Sequence, residues 1–259
     1  MMTGSINERA GGWEAWRPRV TPPIGVELTD EQRLACAFRI LAAEGFAENL
    51  AGHITWQLPG SDTMMVNPWG LWWREITASD VCEVDADGTV VRGRWDVTPA
   101  IHIHTELHRR RPDARVVVHN HPYHVSVLAA IGELPRIVNQ TGSMFDGELH
   151  LVEEYTGEVD DADLGAELAV MIGEASVVVL AGHGVIVTAP TIEEATYKAA
   201  SIDRVCRMTL DVIRLDREAI SLEPSVVKGM KMSLIERGSD VYFAGATRQL
   251  IQSQPDVLL

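Results

Sequence analysis

Basic residues are scarce in this chain of 259 residues: 22 lysines and arginines stand against 37 aspartates and glutamates, for a formal net charge of -15. A surface of that sign repels phosphate backbones and anionic membranes at long range, so neither nucleic acid nor a membrane is an expected partner. The one dense basic cluster, "RRRPDAR" from Arg109 to Arg115, has a Pro-Asp interior and reads as a solvated helix end followed by a turn. Cysteine is equally sparse. Cys36, Cys82 and Cys206 are odd in number, far apart and outside any CxxC spacing, which argues against a disulfide framework and against a thiolate zinc site. Long apolar runs are missing as well: the most apolar stretch, "SVVVLAGHGVIVTA", falls short of a bilayer span and is broken by Gly-His-Gly. The opening "MMTGSINERAGGWEAW" has no charged-then-apolar targeting pattern. A cytoplasmic, reducing location is the expectation. No repeat or low-complexity segment is present.

What remains is a globular composition, 46% hydrophobic and 23% charged, in a chain near the upper size for one hydrophobic core. Residues 1–27 mix Gly, Pro, Arg and two tryptophans without periodicity and read as an arm, with Trp13 and Trp16 as its docking points. A main domain over 28–225 and a C-terminal extension over 226–259, packing on the domain or on a neighbouring subunit, complete the expected organisation. Thr29 and Gln32 form a capping-box pattern that opens a helix bearing Leu34, Phe38 and Leu41 on one face, closed by Gly45. "HITWQL", "TMMVN", "VCEVD" and "TVVRG" are short strand-like runs parted by turn signals, which predicts an antiparallel meander over 53–93. Thr98-Pro99 starts a helix to about Arg111, "RVVVHNH" is a buried strand, and "PYHVSVLAAI" continues as a helix. A helix near 161–174, the paired segment "SVVVLAGHGVIVT" and a long helix opened by a second capping box, Thr191 and Glu194, follow. The expected fold is a layered α-β-α domain around a central, mostly antiparallel sheet, without Rossmann order.

Histidine carries the chemistry. His119 and His121 stand one residue apart in "VVVHNHPYH", and on an extended strand alternate residues share a face, so both rings can reach one ion. The same spacing also fits surface or hydrogen-bonded histidines. His183 lies between Gly182 and Gly184 where two apolar runs meet, a place where the backbone bends and a polar side chain can turn into a cavity; a backbone hydrogen bond would satisfy it equally well.

"RPDARVVVHNHPYHVSVLAAI" together with "VVVLAGHGVIVTAPTIEEATYKA" resembles the class II aldolase/adducin family. The likeness reaches upstream to "NLAGHITWQLPG" and "VNPWGLWWREITASDVCEVDADGTVV" and spans Thr29 to Leu215. It implies a class II aldolase-like sheet flanked by helices, a homotetramer with active sites at subunit interfaces, and one divalent metal ion per subunit held by His119, His121 and His183. Zn or Mn is the preferred ion, with Fe as the alternative.

The departures from the family pattern bear on the reaction. Where the sugar-phosphate aldolases have a Ser-Ser-Glu segment, Thr98, Pro99 and Ala100 stand here, so the metal-neighbouring carboxylate is missing. His53 replaces the usual asparagine of the phosphate-binding turn; it is a candidate proton donor or acceptor or else a strand-end hydrogen-bonding group. Gly52 and Gly70 lie where the family places substrate-contacting backbone. Trp69, Trp72 and Trp73 offer flat apolar faces, with Trp69 and Trp73 as candidate substrate contacts and core or subunit packing as the alternative. Arg74 is either a two-point carboxylate clamp or a solvated arginine. Tyr123 and Tyr155 serve as proton donors only if they reach the pocket. His104 and His108, one helical turn apart, are read as structural, and Glu106 points away from them.

A three-histidine site leaves coordination positions open for a substrate. The leading reading is a metal-dependent C–C lyase, an aldolase or decarboxylase, acting on a small carboxylated or hydroxylated molecule, aromatic ones included. The absent glutamate tilts it towards decarboxylation. A non-haem iron oxygenase on the same fold and a non-catalytic adducin-like interaction module are the alternatives.

Overall fold

The structure is a computed structural model that describes residues 18–154, 157 and 159–259. Trp13, Trp16 and Tyr155 lie outside the described residues.

Helix α1 (Asp30–Ala43) starts at the Thr29 and Gln32 capping box, both halves of which are formed, and Gly45 follows its end with φ +80°. Its residues from Leu34 to Leu41 are buried without a break, so the helix is enclosed all round rather than along one stripe. Four short strands form the expected meander: β1 (His53–Trp56), β2 (Met64–Val66), β3 (Cys82–Val84) and β4 (Val90–Arg92). A single 3-10 turn capped by Thr98 leads into α2 (His102–Arg110). Then come β5 (Val116–Asn120), α3 (Tyr123–Ala130), β6 (Leu149–Val152) and α4 (Ala162–Ile172). Strands β7 (Val177–Leu180) and β8 (Val185–Ala189) precede the long α5 (Ile192–Arg214).

The eight strands make one sheet in the order β4-β3-β2-β1-β5-β8-β7-β6, antiparallel at every pairing except β6 with β7. Helices cover both faces. Val116, Val118, Val185 and Val187 belong to the larger core with α1 and α5, whereas Val117, Val178 and Ile186 pack with Ile103, Leu107 and Leu168 of α2 and α4. Burial on both sides explains why β5 reads as an unbroken Val-Val-Val run and not as an alternation.

Helices α6 (Pro224–Met232) and α7 (Ser239–Ser253), joined by a π-helical turn, bring Val227, Phe243 and Leu250 inward. Phe243, Leu250 and Val257 join the core around α1 and α5, and the buried Arg39 holds this segment through Gln254 and Asp256.

Two local readings need correction. Arg111 is not solvated: it is buried and donates to Asp113 and to the carbonyls of Gly173 and Ala175, tying the end of α2 to the turn before β7. The second capping box is half formed. Thr191 Oγ1 accepts from the Glu194 backbone N–H, but the Glu194 carboxylate turns along the helix to Lys198, 2.8 Å away, because a buried ammonium is the stronger partner.

Candidate metal centre

Strand β5 projects His119 towards the α2 face of the sheet, and the chain past Asn120 carries His121 to the same side. The turn between β7 and β8 brings in His183: Gly182 takes φ +66°, and the His183 N–H closes the turn on the Leu180 carbonyl. One ligand nitrogen from each of the three rings falls within 4.8 Å of the other two. The ring centroids are 5.0 Å (His119 and His121), 4.9 Å (His119 and His183) and 4.7 Å (His121 and His183) apart.

The hydrogen bonds show which ring atoms face the centre. His119 Nδ1 lies 3.0 Å from the Val185 carbonyl, which can only accept, so the ring proton belongs on Nδ1. His121 Nδ1 lies 2.9 Å from a Glu48 carboxylate oxygen, and its Nε2 is buried without a hydrogen-bond partner. A buried ring nitrogen left in this state is costly in a folded protein, and a divalent cation would satisfy it. The donor set therefore fits a metal ion. Burial holds His119 neutral, with a pKa well below the usual histidine value, and lowers His183 to about 4, with His121 adding to the effect on both. Neutral imidazole is the ligand form.

Glycines permit this packing. A Cβ on Gly184 would lie 2.5 Å from His121 Cδ2 and 2.6 Å from the Asn120 carbonyl oxygen. Gly52 has φ +87°, and a Cβ there would lie 2.3 Å from Asn120 Nδ2. Asn120, fully buried between the two histidines of the pair, accepts from the backbone N–H groups of Glu48 and His121 and donates to the Ala51 carbonyl.

Behind the centre runs a buried chain of polar groups. His53 Nδ1 and His104 Nε2 are 2.5 Å apart, and Thr55 Oγ1 lies 2.7 Å from both His104 Nδ1 and His108 Nε2. Three bonds need three protons. Two senses supply them with every ring neutral. If His108 donates to Thr55, Thr55 to His104 and His104 to His53, the His53 proton sits on Nε2; in the reverse sense Nε2 carries the lone pair. Burial lowers His53 to about 3 and His108 to about 4, and holds His104 well below the usual histidine value.

The cavity, about 280 Å³, is lined by His53, His119, His121 and His183, by Gly52, Asn67 and Thr98, and by Leu50, Ala51, Trp69, Ala100, Ile103 and Val159. No lysine, arginine or carboxylate is among these described residues. Trp69 stands at the rim, 63% exposed. Trp73 is 1% exposed, packs edge-on to Phe38 and stacks on Phe46, and donates its Nε1–H to the Gly52 carbonyl. It supports the cavity floor from the core and does not contact the space itself. Arg74 is exposed with its guanidinium over the Trp72 ring, 4.4 Å from the centroid, and Gly70 is exposed in a left-handed turn. Neither lines the cavity. Tyr123 is 70% exposed, edge-on to His124, and lies outside the lining too. Asn120, Thr55, His108 and Glu48 carry no signal of a site role in the sequence. The spacing of His104 and His108 points to a shared helix face, but their common partner on β1 is a tertiary contact.

Known proteins agree with this architecture. Residues 32–210 match the family described as Class II Aldolase and Adducin N-terminal domain. An adducin-related protein of Schizosaccharomyces pombe is 32% identical over 66% of this chain, a span that is 56% of its own length. The 3,4-dihydroxyphthalate decarboxylase of Arthrobacter keyseri is 32% identical over 70% of this chain and 77% of its own. The crystal structure of an aldolase II superfamily protein from Pseudomonas syringae superposes with a TM-score of 0.77 at 25% identity, over 92% of this chain and 97% of that one. With the three histidines in one cluster and the sheet and family match in agreement, this chain belongs to the class II aldolase and adducin family.

Proposed function

We propose that this protein is a metal-dependent C–C lyase that removes CO2 from a small hydroxylated aromatic acid. The observation that carries the reading is a cluster of three imidazoles opening into a cavity lined by Ala100, Ile103, Val159, Leu50 and Trp69, with no lysine, arginine or carboxylate among the described residues of its wall. A sugar phosphate would find no lysine or arginine among those residues to hold its phosphate. A flat ring bearing a carboxylate and hydroxyls would find apolar walls and a cation to chelate. The similarity to a dihydroxyphthalate decarboxylase supports the same substrate class.

His119, His121 and His183 would hold one divalent ion, Zn or Mn by preference, which when bound supplies electrophilic stabilisation of a substrate oxygen. The wall from Ala100 to Val159 excludes water, and Trp69 offers a face to the substrate ring. His53 handles the proton. As the bond to the carboxylate breaks, its electron pair stays on the ring carbon, and that carbon takes a proton from His53 Nε2–H. After product leaves, water entering the cavity returns the proton to His53 Nε2, and the chain through His104, Thr55 and His108 keeps its sense and holds His53 in the donor tautomer. Tyr123 and Arg74 do not line their own chain's cavity, so any role for them requires the homotetramer that we propose as the working assembly.

The test is metal analysis of the purified protein, followed by assay of CO2 release from hydroxylated aromatic mono- and dicarboxylates and of cleavage of sugar phosphates. Stoichiometric Zn or Mn with CO2 release from the aromatic acids is expected. Iron with substrate-dependent oxygen uptake would replace this reading with an oxygenase. Failure to take up any metal would return the protein to an adducin-like interaction role.

A further inference from the structure

We propose that Glu48 is a positioning residue for the metal centre, acting through His121; the inference rests on the metal-dependent reading above. The carboxylate oxygen 2.9 Å from His121 Nδ1 can only accept, so it holds the ring proton on that nitrogen and leaves a lone pair on Nε2, the buried atom without a partner. The two nitrogens lie on opposite edges of the ring. Glu48 therefore stands behind the ligand and outside coordination distance of an ion at the centre.

Its placement is built in. The Glu48 backbone N–H donates to Asn120 Oδ1 at 3.1 Å, and the same oxygen accepts the His121 backbone N–H at 2.7 Å. Asn120 Nδ2 donates to the Ala51 carbonyl at 3.1 Å. One buried amide thus fastens the Glu48–Ala51 turn to the strand end that carries His121, and the absence of a Cβ on Gly52 lets the two backbones meet. His119 receives the same service from a different group, the Val185 carbonyl. The two partners differ in effect: a backbone carbonyl fixes only the tautomer, whereas a carboxylate also adds negative charge that raises the donor strength of the imidazole. With Ala100 where the sugar-phosphate aldolases have a carboxylate, Glu48 brings an acidic side chain into contact with a candidate ligand.

The experiment compares wild type, Glu48→Gln and Glu48→Ala for Zn(II) affinity by chelator competition and for the visible absorption of the Co(II) forms, with thermal midpoints of the metal-free proteins alongside. Glu48→Ala is expected to weaken Zn(II) binding roughly 10- to 100-fold, with a changed Co(II) spectrum and an unchanged metal-free midpoint. Glu48→Gln keeps an acceptor for the ring N–H without the charge and is expected to fall between. Zn(II) binding by Glu48→Ala within twofold of wild type overturns the role of Glu48 alone. A metal-free midpoint that drops along with the affinity overturns it too, by making the residue structural. A wild type that binds no metal overturns the metal reading and this inference together.

Discussion

His53 on β1 is the register partner of His119 on β5, and their ring centroids lie 5.1 Å apart. Residues directly opposite on antiparallel strands project to the same face, so the proposed proton-handling group and a candidate ligand are set side by side by the hydrogen-bond ladder. Sites built on strands hold their geometry more tightly than sites on loops. His121, one residue past the end of β5, and His183, on a turn, depend on loop conformation; Asn120 Oδ1 holds the first by its backbone N–H, and Gly182 and Gly184 set the path of the second.

Removal of a candidate ligand separates the proposed metal centre from the fold. His183→Ala is expected to abolish stoichiometric metal uptake and to lower turnover at least about a hundredfold, since electrophilic metal catalysis contributes several kcal/mol. Its metal-free thermal midpoint should stay close to that of wild type, because His183 sits at a turn beside the cavity and not within either core. Metal analysis and calorimetry on one preparation decide the matter; a variant with full metal content would remove His183 from the ligand set.

Gly184→Ala tests the close packing behind His121. The added methyl would meet the imidazole at 2.5 Å and the Asn120 carbonyl at 2.6 Å, and the second contact is backbone that cannot step aside. Overpacking of this kind typically costs about 1–3 kcal/mol, and here the atoms displaced carry the centre. Loss of metal binding together with a lower melting temperature is the expected result. Gly60→Ala is the control, having φ +77° and open space, with nothing within 4 Å of the place its methyl group would take. It should cost on the order of 1 kcal/mol through backbone strain and leave metal binding intact.

The sheet and its helices were legible because their signals are local. The Thr29 cap, the Asp-Gly turn before β4 and the valine run of β5 each specify their own conformation, and the His-x-His spacing specifies a common face. Long-range pairings left no such trace. Nothing in "HIT" shows that Thr55 will sit between His104 and His108, because that contact exists only once α2 lies across β1. Trp73 shows the same limit: three neighbouring tryptophans look alike in sequence, and burial against Phe38 and Phe46 is decided by α1. Glu48, one acid among 37, became distinguishable only through its contact with His121.

The tryptophans should therefore divide in their effects. Trp73→Ala removes a fully buried ring and its bond to the Gly52 carbonyl, so an unfolding loss of about 3–5 kcal/mol is expected. Trp69→Ala, at an exposed rim position, should change stability by less than about 0.5 kcal/mol while raising KM for an aromatic acid about tenfold or more. Urea unfolding paired with steady-state kinetics makes the comparison. Equal destabilisation by the two variants would contradict the assignment of Trp69 to the cavity and Trp73 to the core.

The buried histidine chain predicts how stability falls in acid. His108 titrates near 6.5 when unfolded and at about 4 in the folded chain, lowered chiefly by burial. Between those values the unfolded state binds more protons, so stability rises with pH there; the contribution is fully present above about pH 6.5 and is lost as pH falls towards 4. One such group gives a slope of about 1.4 kcal/mol per pH unit, on the order of 2 kcal/mol between about pH 8 and pH 5. His53 and His104 act in the same direction, so total steepness assigns nothing to a single residue. His108→Gln supplies the difference, because an amide can still meet Thr55 Oγ1 but takes up no proton. In urea titrations of the metal-free proteins, the variant's stability should fall less steeply with acid than wild type by about that slope. Parallel curves would mean that His108 is solvated and titrates normally in the folded protein, and the chain behind His53 would then end at Thr55.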